Sequence, residues 1–292
     1  MAYQWAALAF LSAFSLATSD ALTKRALARD NEYLVTWFRF VFTLPVFLVL
    51  WVFVPKPELN EQFFKAFIYA LPLEVIATAL YIKALRLSPL NMTLPFTALT
   101  PVFLIITSYF IAGERISVWG GTGVFFLALG SYTLNIHEMK NGILEPLKSV
   151  AREKGSVLMI IVALIYSITA SLGKVGVVNS SPLFFGITYY IALSIVYTPF
   201  ALWMGRGEIK AFIIEKRFVQ MILPGFLNAV MVASHMLAIN LAQVAYVVSV
   251  KRTSILISVI YGYYFFREGN IRERLSGTVL MIIGFTIIVM SV

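Results

Sequence analysis

The sequence predicts an all-α integral membrane protein of ten transmembrane helices, arranged as two inverted five-helix repeats. Composition is the first reason. Of the 292 residues, 60% are hydrophobic and 13% are charged, with a mean hydropathy of +0.86, whereas soluble domains average about 25% charged residues. The second reason is a series of ten apolar segments, each near the length of about 20 residues that crosses a bilayer. The third is a repeat between the two halves of the chain.

The predicted segments follow one another through short connections, as antiparallel neighbouring helices do. They are 3–23, 33–54, 66–86, 90–112, 117–136, 156–178, 183–204, 218–240, 244–266 and 275–292. The longest connection, 137–155, is polar and contains Gly and Pro. We interpret it as a linker between a first repeat at 1–136 and a second repeat at 156–292.

The repeat is clearest between residues 84–131 and 238–285, which align without gaps at an offset of 154. The alignment superposes identical residues: Ala84 and Ala238, Leu87 and Leu241, Tyr109 and Tyr263, Glu114 and Glu268, Gly123 and Gly277, Gly130 and Gly284. Five spans per half is an odd number, so the second half must cross the membrane in the opposite direction. Inverted repeats with a binding site at their interface, near the bilayer midplane, are a recurrent transporter design.

Composition and motifs also argue against other classes of function. The net charge of +9 fits the basic cytoplasmic loops of membrane proteins, so we expect no nucleic-acid partner. The chain has no cysteine and two histidines in different segments, and the HExxH, GxSG and GxxxxGK[ST] motifs do not occur. We therefore predict no enzymatic activity, no metal site and no cofactor.

The stretch "YIKALRLSPLNMTLPFTALTPVFLIITSYFIAGERIS" (81–117) resembles the third and fourth helices of an EamA-type repeat in the drug/metabolite transporter superfamily. The shared features are an aromatic residue before "AL", a short polar turn, Pro101 in "LTPVF" and Glu114 closing the helix. The second copy differs, because Ile255 stands where the first has Pro101. The resemblance extends over nearly the whole chain and implies a metabolite transporter that works by alternating access between the repeats.

Segment nine carries two adjacent cations, Lys251 and Arg252, at bilayer depth. A charge there costs about 2.5–3.5 kcal/mol on insertion scales, so a charge inside the membrane indicates function. In the phosphate-translocating branch of the superfamily, basic residues on the ninth helix bind substrate phosphate, and this pair resembles that feature. We predict a clamp for phosphate or carboxylate. Neutralisation by Glu74, Asp20 or helix carbonyl groups is the alternative.

Polar residues in other segments are expected to face the same cavity. Glu74 can bind a proton, an amine or a neighbouring cation, and burial favours its neutral form. Tyr81 follows two helical turns later on nearly the same face. The offset of 154 matches Thr97 to Lys251 and His235 to Tyr81. A hydroxyl bonded to its own helix is the alternative for Thr97.

Hydroxyl residues follow the cations in segment nine, where they permit close helix approach or a wet cavity. Asn228 in segment eight and Tyr166 in segment six are secondary candidates. The predicted substrate-binding set is Lys251, Arg252, Tyr81, Thr97, Glu74, His235, Tyr166, Asn228, Ser254 and Ser258.

Other charged residues within the segments are interpreted as structural. Asp20 and Lys24 have the spacing of a helical ion pair. Arg39 is expected to pair with Asp20 or Glu32, or to reach the cytoplasmic face. Lys174 lies near the end of segment six, so we expect its ammonium group to snorkel to the membrane surface.

The predicted function is secondary transport of a small polar organic metabolite that bears a phosphate or carboxylate group. The alternatives are an amino-acid exporter, aromatic amino acids included, in which Glu74 meets the amine, and a lipid flippase of the same fold. A gradient or an exchanged solute supplies the energy, with coupling to protons or to a counter-substrate left open. We expect a monomer or weak homodimer in a prokaryotic inner membrane, with both termini outside the cytoplasm by the positive-inside rule.

Overall fold

The computed structural model of the protein describes residues 3–27, 29–87, 94–133, 154–266 and 275–291. Regular secondary structure in these ranges is helical throughout. The α-helices are α1 (Gln4–Leu27), α2 (Glu32–Phe53), α3 (Glu61–Leu87), α4 (Leu99–Ala112), α5 (Val118–Thr133), α6 (Lys154–Val178), α7 (Pro182–Met204), α8 (Ile209–Ile214), α9 (Ile222–Leu241), α10 (Val244–Lys251), α11 (Ser254–Phe266) and α12 (Leu275–Met290). Short 3-10 helices precede α4 and α9, at Leu94–Ala98 and Arg217–Met221.

Each predicted segment contains helix where the structure describes it, and segment nine is interrupted by a turn. Within the described ranges, six helical stretches are long and apolar enough to cross a membrane: Gln4–Leu27, Glu32–Phe53, Glu61–Ala84, Lys154–Val178, Pro182–Met204 and Arg217–Leu241. Shorter apolar helices occupy segments four, five and ten: Phe96–Ala112, Val118–Gly130 and Gly277–Met290. The predicted linker, 137–155, lies outside the described residues as far as residue 153, and its last two residues belong to α6.

Capping residues explain where several helices begin and end. The Asn31 side chain accepts a hydrogen bond from the Tyr33 amide at 3.0 Å and starts α2. Gly113 ends α4 with a φ of 68°, a left-handed conformation that glycine adopts without strain. The following amide, that of Glu114, then donates to the Ser108 carbonyl at 3.2 Å. This turn fixes the point from which the Glu114 side chain leaves the backbone.

The prediction of one continuous helix over 244–266 is wrong, because the structure divides segment nine at the cation pair. Helix α10 ends at Lys251 and α11 begins at Ser254, with Arg252 and Thr253 in the turn between them. The break therefore lies at the charged residues themselves.

Hydrogen bonds of three-residue spacing form the turn. The Thr253 amide donates to the Val250 carbonyl at 2.9 Å, and the Ile255 amide donates to the Arg252 carbonyl at 3.0 Å. Such spacing is typical of a 3-10 turn, which is tighter than an α-helix. Segment four has a comparable irregularity, because α4 is preceded by the 3-10 helix Leu94–Ala98.

Helices α5 and α12 run antiparallel with their backbones in contact. A Cβ atom added at Gly123 would lie 2.8 Å from the Gly284 carbonyl oxygen, and one at Gly130 would lie 2.7 Å from the Gly277 carbonyl oxygen. Small residues allow helices in a bilayer to approach this closely. The glycines are thus required by the packing of the two helices.

Other helix pairs form the rest of the bundle. Helix α1 packs along α9 and α3 along α6, while α2 contacts both α7 and α9. The largest group of buried apolar residues joins the ends of these helices and includes Leu104, Phe185 and Tyr246. Polar side chains of α1, α2, α3, α6, α7 and α9 are left facing the middle of the bundle, beside the break in segment nine.

Candidate functional site

Side chains from seven helical elements interact electrostatically in the middle of the bundle. We call them the central cluster; they are Asp20, Arg39, Glu74, Tyr81, Tyr166, Tyr190, Asn228, His235, Lys251 and Arg252. Protein surrounds these groups, yet every member except Asn228 keeps part of its surface accessible. Buried position combined with residual accessibility is typical of groups that line an internal cavity.

The cation pair, Lys251 and Arg252, is incompletely satisfied by the protein. The Arg252 guanidinium donates to the Thr100 hydroxyl at 2.9 Å, but its Nε is buried without a partner. Among the residues that the structure describes, Lys251 has neither a hydrogen bond nor an ion pair. His235 lies within electrostatic range of both cations, and its Nδ1 is also buried without a partner. These groups keep hydrogen-bonding capacity that the described residues do not use.

Glu74 lies across the cluster from the cation pair. Its carboxyl group is next to the Thr169 hydroxyl and within electrostatic range of Lys251. It forms no ion pair with either cation within the described ranges, so the alternative in which Glu74 neutralises the pair by direct contact is not what the structure contains. Tyr166 lies within electrostatic range of Glu74. The ring centroids of Tyr81 and Tyr166 are 6.4 Å apart, so tyrosines of α3 and α6 form one wall.

The predicted pairing of Arg39 with Asp20 is confirmed. The two side chains form an ion pair of 2.7 Å between α2 and α1, and Arg39 also donates to the Asn228 side chain at 3.1 Å. Asn228 in turn donates to the Thr43 hydroxyl at 3.1 Å. Sequence reasoning treated Arg39 and Asp20 as structural, whereas the fold places both beside the predicted site, within electrostatic range of Tyr81.

The remaining predicted site residues lie on segments four and nine. Thr97 is buried at 4% exposure on the 3-10 helix before α4. One turn further on, the Thr100 hydroxyl accepts a hydrogen bond from Arg252. Ser254 is the first residue of α11 and is 6% exposed. Ser258 is half-buried one turn later.

A second ionic group lies where the connection between α9 and α10 meets the end of α4. We call it the loop cluster; it consists of Glu114, Lys174 and the backbone of Ile239, Ala242 and Val244. The Lys174 ammonium lies 3.4 Å from the Glu114 carboxylate and donates to the carbonyls of Ala242, at 2.9 Å, and Ile239. Lys174 thus lies inside the fold at 15% exposure, and the expectation that it snorkels is wrong.

The carboxylate of the loop cluster is equally well satisfied. Glu114 accepts the Val244 amide at 2.9 Å, which caps the start of α10, and its side chain is 9% exposed. Burial raises the pKa of Glu114, and the opposing effects of Lys174 and the Val244 amide do not fully offset it. The cluster therefore holds the ends of α4, α6, α9 and α10 together.

Several residues in or beside the central cluster were not predicted from the sequence. Tyr190 and Tyr189 of α7 lie within range of Glu74, and the Tyr189 hydroxyl is buried without a partner. Their segment is apolar with no polar stripe, so no spacing singled them out. Thr100 is three residues after Thr97, which the repeat offset did identify. In the described part of the chain, His, Asp and Glu side chains form no group of three that suits a metal ion.

Comparison with known proteins follows the same division of the chain. The EamA-like transporter family matches residues 4–136 and, separately, residues 153–290, which confirms the resemblance seen in segments three and four. No curated protein matches the chain. A solved structure described as "Crystal structure of protein" is similar, with 13% identity, a TM-score of 0.69 and 97% of each chain covered. At that identity the likeness concerns the fold alone.

Proposed function

Because the chain belongs to the EamA-like transporter family, we propose that it is a secondary active transporter for a small polar organic metabolite with an anionic group. The family places the protein in a membrane as a transporter of small molecules. The observation that carries the finer proposal is the cation pair, Lys251 and Arg252, which lies inside the bundle with donors that the described residues do not use.

Charge supports an anionic ligand. The central cluster has five charged side chains: Arg39, Lys251, Arg252, Asp20 and Glu74. With His235 neutral, three basic and two acidic groups leave an excess of one positive charge. The ion pair of Arg39 and Asp20 concentrates this excess at segment nine. A guanidinium and an ammonium group there suit phosphate or carboxylate, which arginine binds through two parallel hydrogen bonds.

Helix packing supports alternating access between inverted repeats. In the repeat, α1 is equivalent to α6, and α3 is equivalent to α9. The contact of α1 with α9 is therefore the counterpart of the contact of α6 with α3, and both are present. The glycine contacts between α5 and α12 are counterparts in the same way, because Gly123 meets Gly284 and Gly130 meets Gly277. Contacts related by a two-fold axis are reciprocal in this manner. Equivalent helices that run antiparallel are what an inverted repeat requires.

Glu74 supports a second candidate, an amino-acid exporter. Its carboxyl group lies within electrostatic range of Tyr166, Tyr189 and Tyr190. Aromatic faces and a carboxylate together suit an organic cation. An amino acid placed with its amine at Glu74 and its carboxylate at Lys251 would use both ends of the cluster.

Separate Lys251→Ala and Arg252→Ala proteins, reconstituted into vesicles, test the proposal. We expect each change to reduce uptake of an anionic substrate at least tenfold, because each removes a charged donor worth about 1.5–3 kcal/mol. A panel of sugar phosphates, amino acids and uncharged sugars identifies the class. Phosphorylated solutes that depend on both cations support the leading candidate, and amino acids that also require Glu74 support the second.

A matched control is Lys65→Ala, because Lys65 pairs with Glu61 on the exposed surface of α3. Its transport should equal that of the wild type. Uptake of uncharged or cationic solutes that is indifferent to Lys251 and Arg252 would contradict an anion site at the cation pair.

A further inference from the structure

The Ser254 hydroxyl differs from most hydroxyls in the helices of this protein. Serine side chains here commonly donate to the carbonyl four residues earlier, as Ser249 does to Ala245 and Ser194 to Tyr190, each at 2.7 Å. Ser254 is 6% exposed, yet its hydroxyl has no hydrogen-bond partner within the described residues. A helical hydroxyl that does not donate to its own backbone is available to another acceptor, so the exception needs a reason.

The break in segment nine is the reason. The carbonyl four residues before Ser254 belongs to Val250, and it accepts the Thr253 amide at 2.9 Å, whereas in an α-helix the Ser254 amide would be its donor. The same holds one residue earlier, because the Ser249 carbonyl accepts the Arg252 amide at 3.0 Å and the Thr253 hydroxyl is buried without a partner. The tight turn has thus taken these carbonyls out of the α-helical geometry in which a hydroxyl donates to the carbonyl four residues earlier.

The turn also sets the direction of the Ser254 side chain. In 3-10 geometry, side chains three residues apart eclipse each other. Lys251 and Ser254 are three residues apart across the turn, so they share one face, and Lys251 belongs to the central cluster. A continuous α-helix would rotate them apart by about 60°.

We infer that the Ser254 hydroxyl donates a hydrogen bond to the anionic group held by Lys251 and Arg252, so that the helix break forms an oxyanion site with three donors. The inference rests on the proposed function and assigns Ser254, one of the predicted site residues, a role in specificity. The two cations attract any anion, whereas a short neutral hydroxyl forms a hydrogen bond only with an oxygen atom in one position. Three converging donors match the oxygens of a phosphate group better than the two oxygens of a carboxylate.

Binding of inorganic phosphate and of acetate to the purified full-length protein tests this inference, followed by ligand-dependent shifts in melting temperature. We expect Ser254→Ala to weaken phosphate binding about tenfold, since a hydrogen bond to a charged group is lost, and to weaken acetate binding less. Ser249→Ala is the matched control. It removes a hydroxyl two residues before Lys251 that is engaged with its own helix, so phosphate affinity should not change.

Ser254→Thr keeps a hydroxyl at the position and should retain most of the phosphate affinity, which separates loss of the donor from damage to the turn. If Ser254→Ala binds phosphate as the wild type does while Lys251→Ala does not, the role of Ser254 is refuted and the anion site stands. If the wild-type protein binds neither phosphate nor acetate, the anion site and the Ser254 inference both fail.

Discussion

The loop cluster and the cation pair are both ionic and both buried, but they differ in how completely their donors are used. Lys174 has a carboxylate and two backbone carbonyls as partners, and Glu114 has Lys174 and a backbone amide. Lys251 has no such partner among the described residues, and Arg252 has the single hydroxyl of Thr100 together with a buried Nε that has none.

Under the proposed function, the difference separates a structural role from a binding role. A buried charge is tolerated when geometry and hydrogen bonds offset its desolvation, and the loop cluster meets that condition. A buried cation without partners reduces stability, and it is retained when a ligand supplies the missing acceptors. Saturation of hydrogen bonds, more than charge or depth, therefore distinguishes the two groups.

Replacing each lysine by methionine gives the largest contrast. Lys174→Met leaves the Glu114 carboxylate buried without its cation, and we expect the free energy of unfolding to fall by about 3 kcal/mol. Lys251→Met removes a desolvated cation and keeps a side chain of similar shape. We expect no loss of stability, and a gain of about 1 kcal/mol, together with loss of anion binding. Unfolding of both variants in mixed detergent micelles measures the difference.

The sign of the two changes is the critical result. If Lys251→Met destabilises the protein as much as Lys174→Met does, the cation pair is structural and the comparison fails. A Glu114→Ala, Lys174→Met double variant provides the control, because two residues in contact should lose less stability together than the sum of their separate losses.

The helices and much of the central cluster were predictable because of a constraint that acts along the chain. Backbone groups in a bilayer must be satisfied internally, so long apolar segments are helical. Intramembrane charge identified Lys251, Arg252 and Glu74, helical spacing from Glu74 added Tyr81, and the repeat offset added His235. Each of these signals is visible in one segment or in a comparison of two.

The break in segment nine and the loop cluster were not predictable, because they depend on contacts between distant residues. No glycine or proline marks the turn at Arg252 and Thr253, so the run appears continuous. Lys174 lies near a helix end, where snorkelling is the ordinary expectation. Its actual partners, Glu114 and the carbonyls that end α9, come close only in the folded protein.

A smaller effect is expected from Thr100→Val, which removes the hydroxyl that accepts from Arg252 and preserves the side-chain shape. Thr100 is 1% exposed, so the guanidinium is left with an unpartnered N–H, and stability should fall by about 1.5 kcal/mol. The freed donor makes Arg252 resemble Lys251. We therefore expect anion affinity to be maintained or to rise in equilibrium binding, whereas a loss as large as that of Arg252→Ala would assign Thr100 to the binding site.

The smallest expected effect is a pH dependence that belongs to the loop cluster. Burial raises the pKa of Glu114 above its ordinary value of 4.5, so the folded protein binds this proton more tightly than the unfolded chain does. The resulting stabilisation is complete below about 4.5 and is lost as the pH rises through the raised pKa, with a slope of at most about 1.4 kcal/mol per pH unit. Glu114→Gln cannot titrate, so the melting temperature of the wild type should fall relative to that of the variant across this window. A difference that stays constant with pH would mean that Lys174 and the Val244 amide fully offset the burial of the carboxylate.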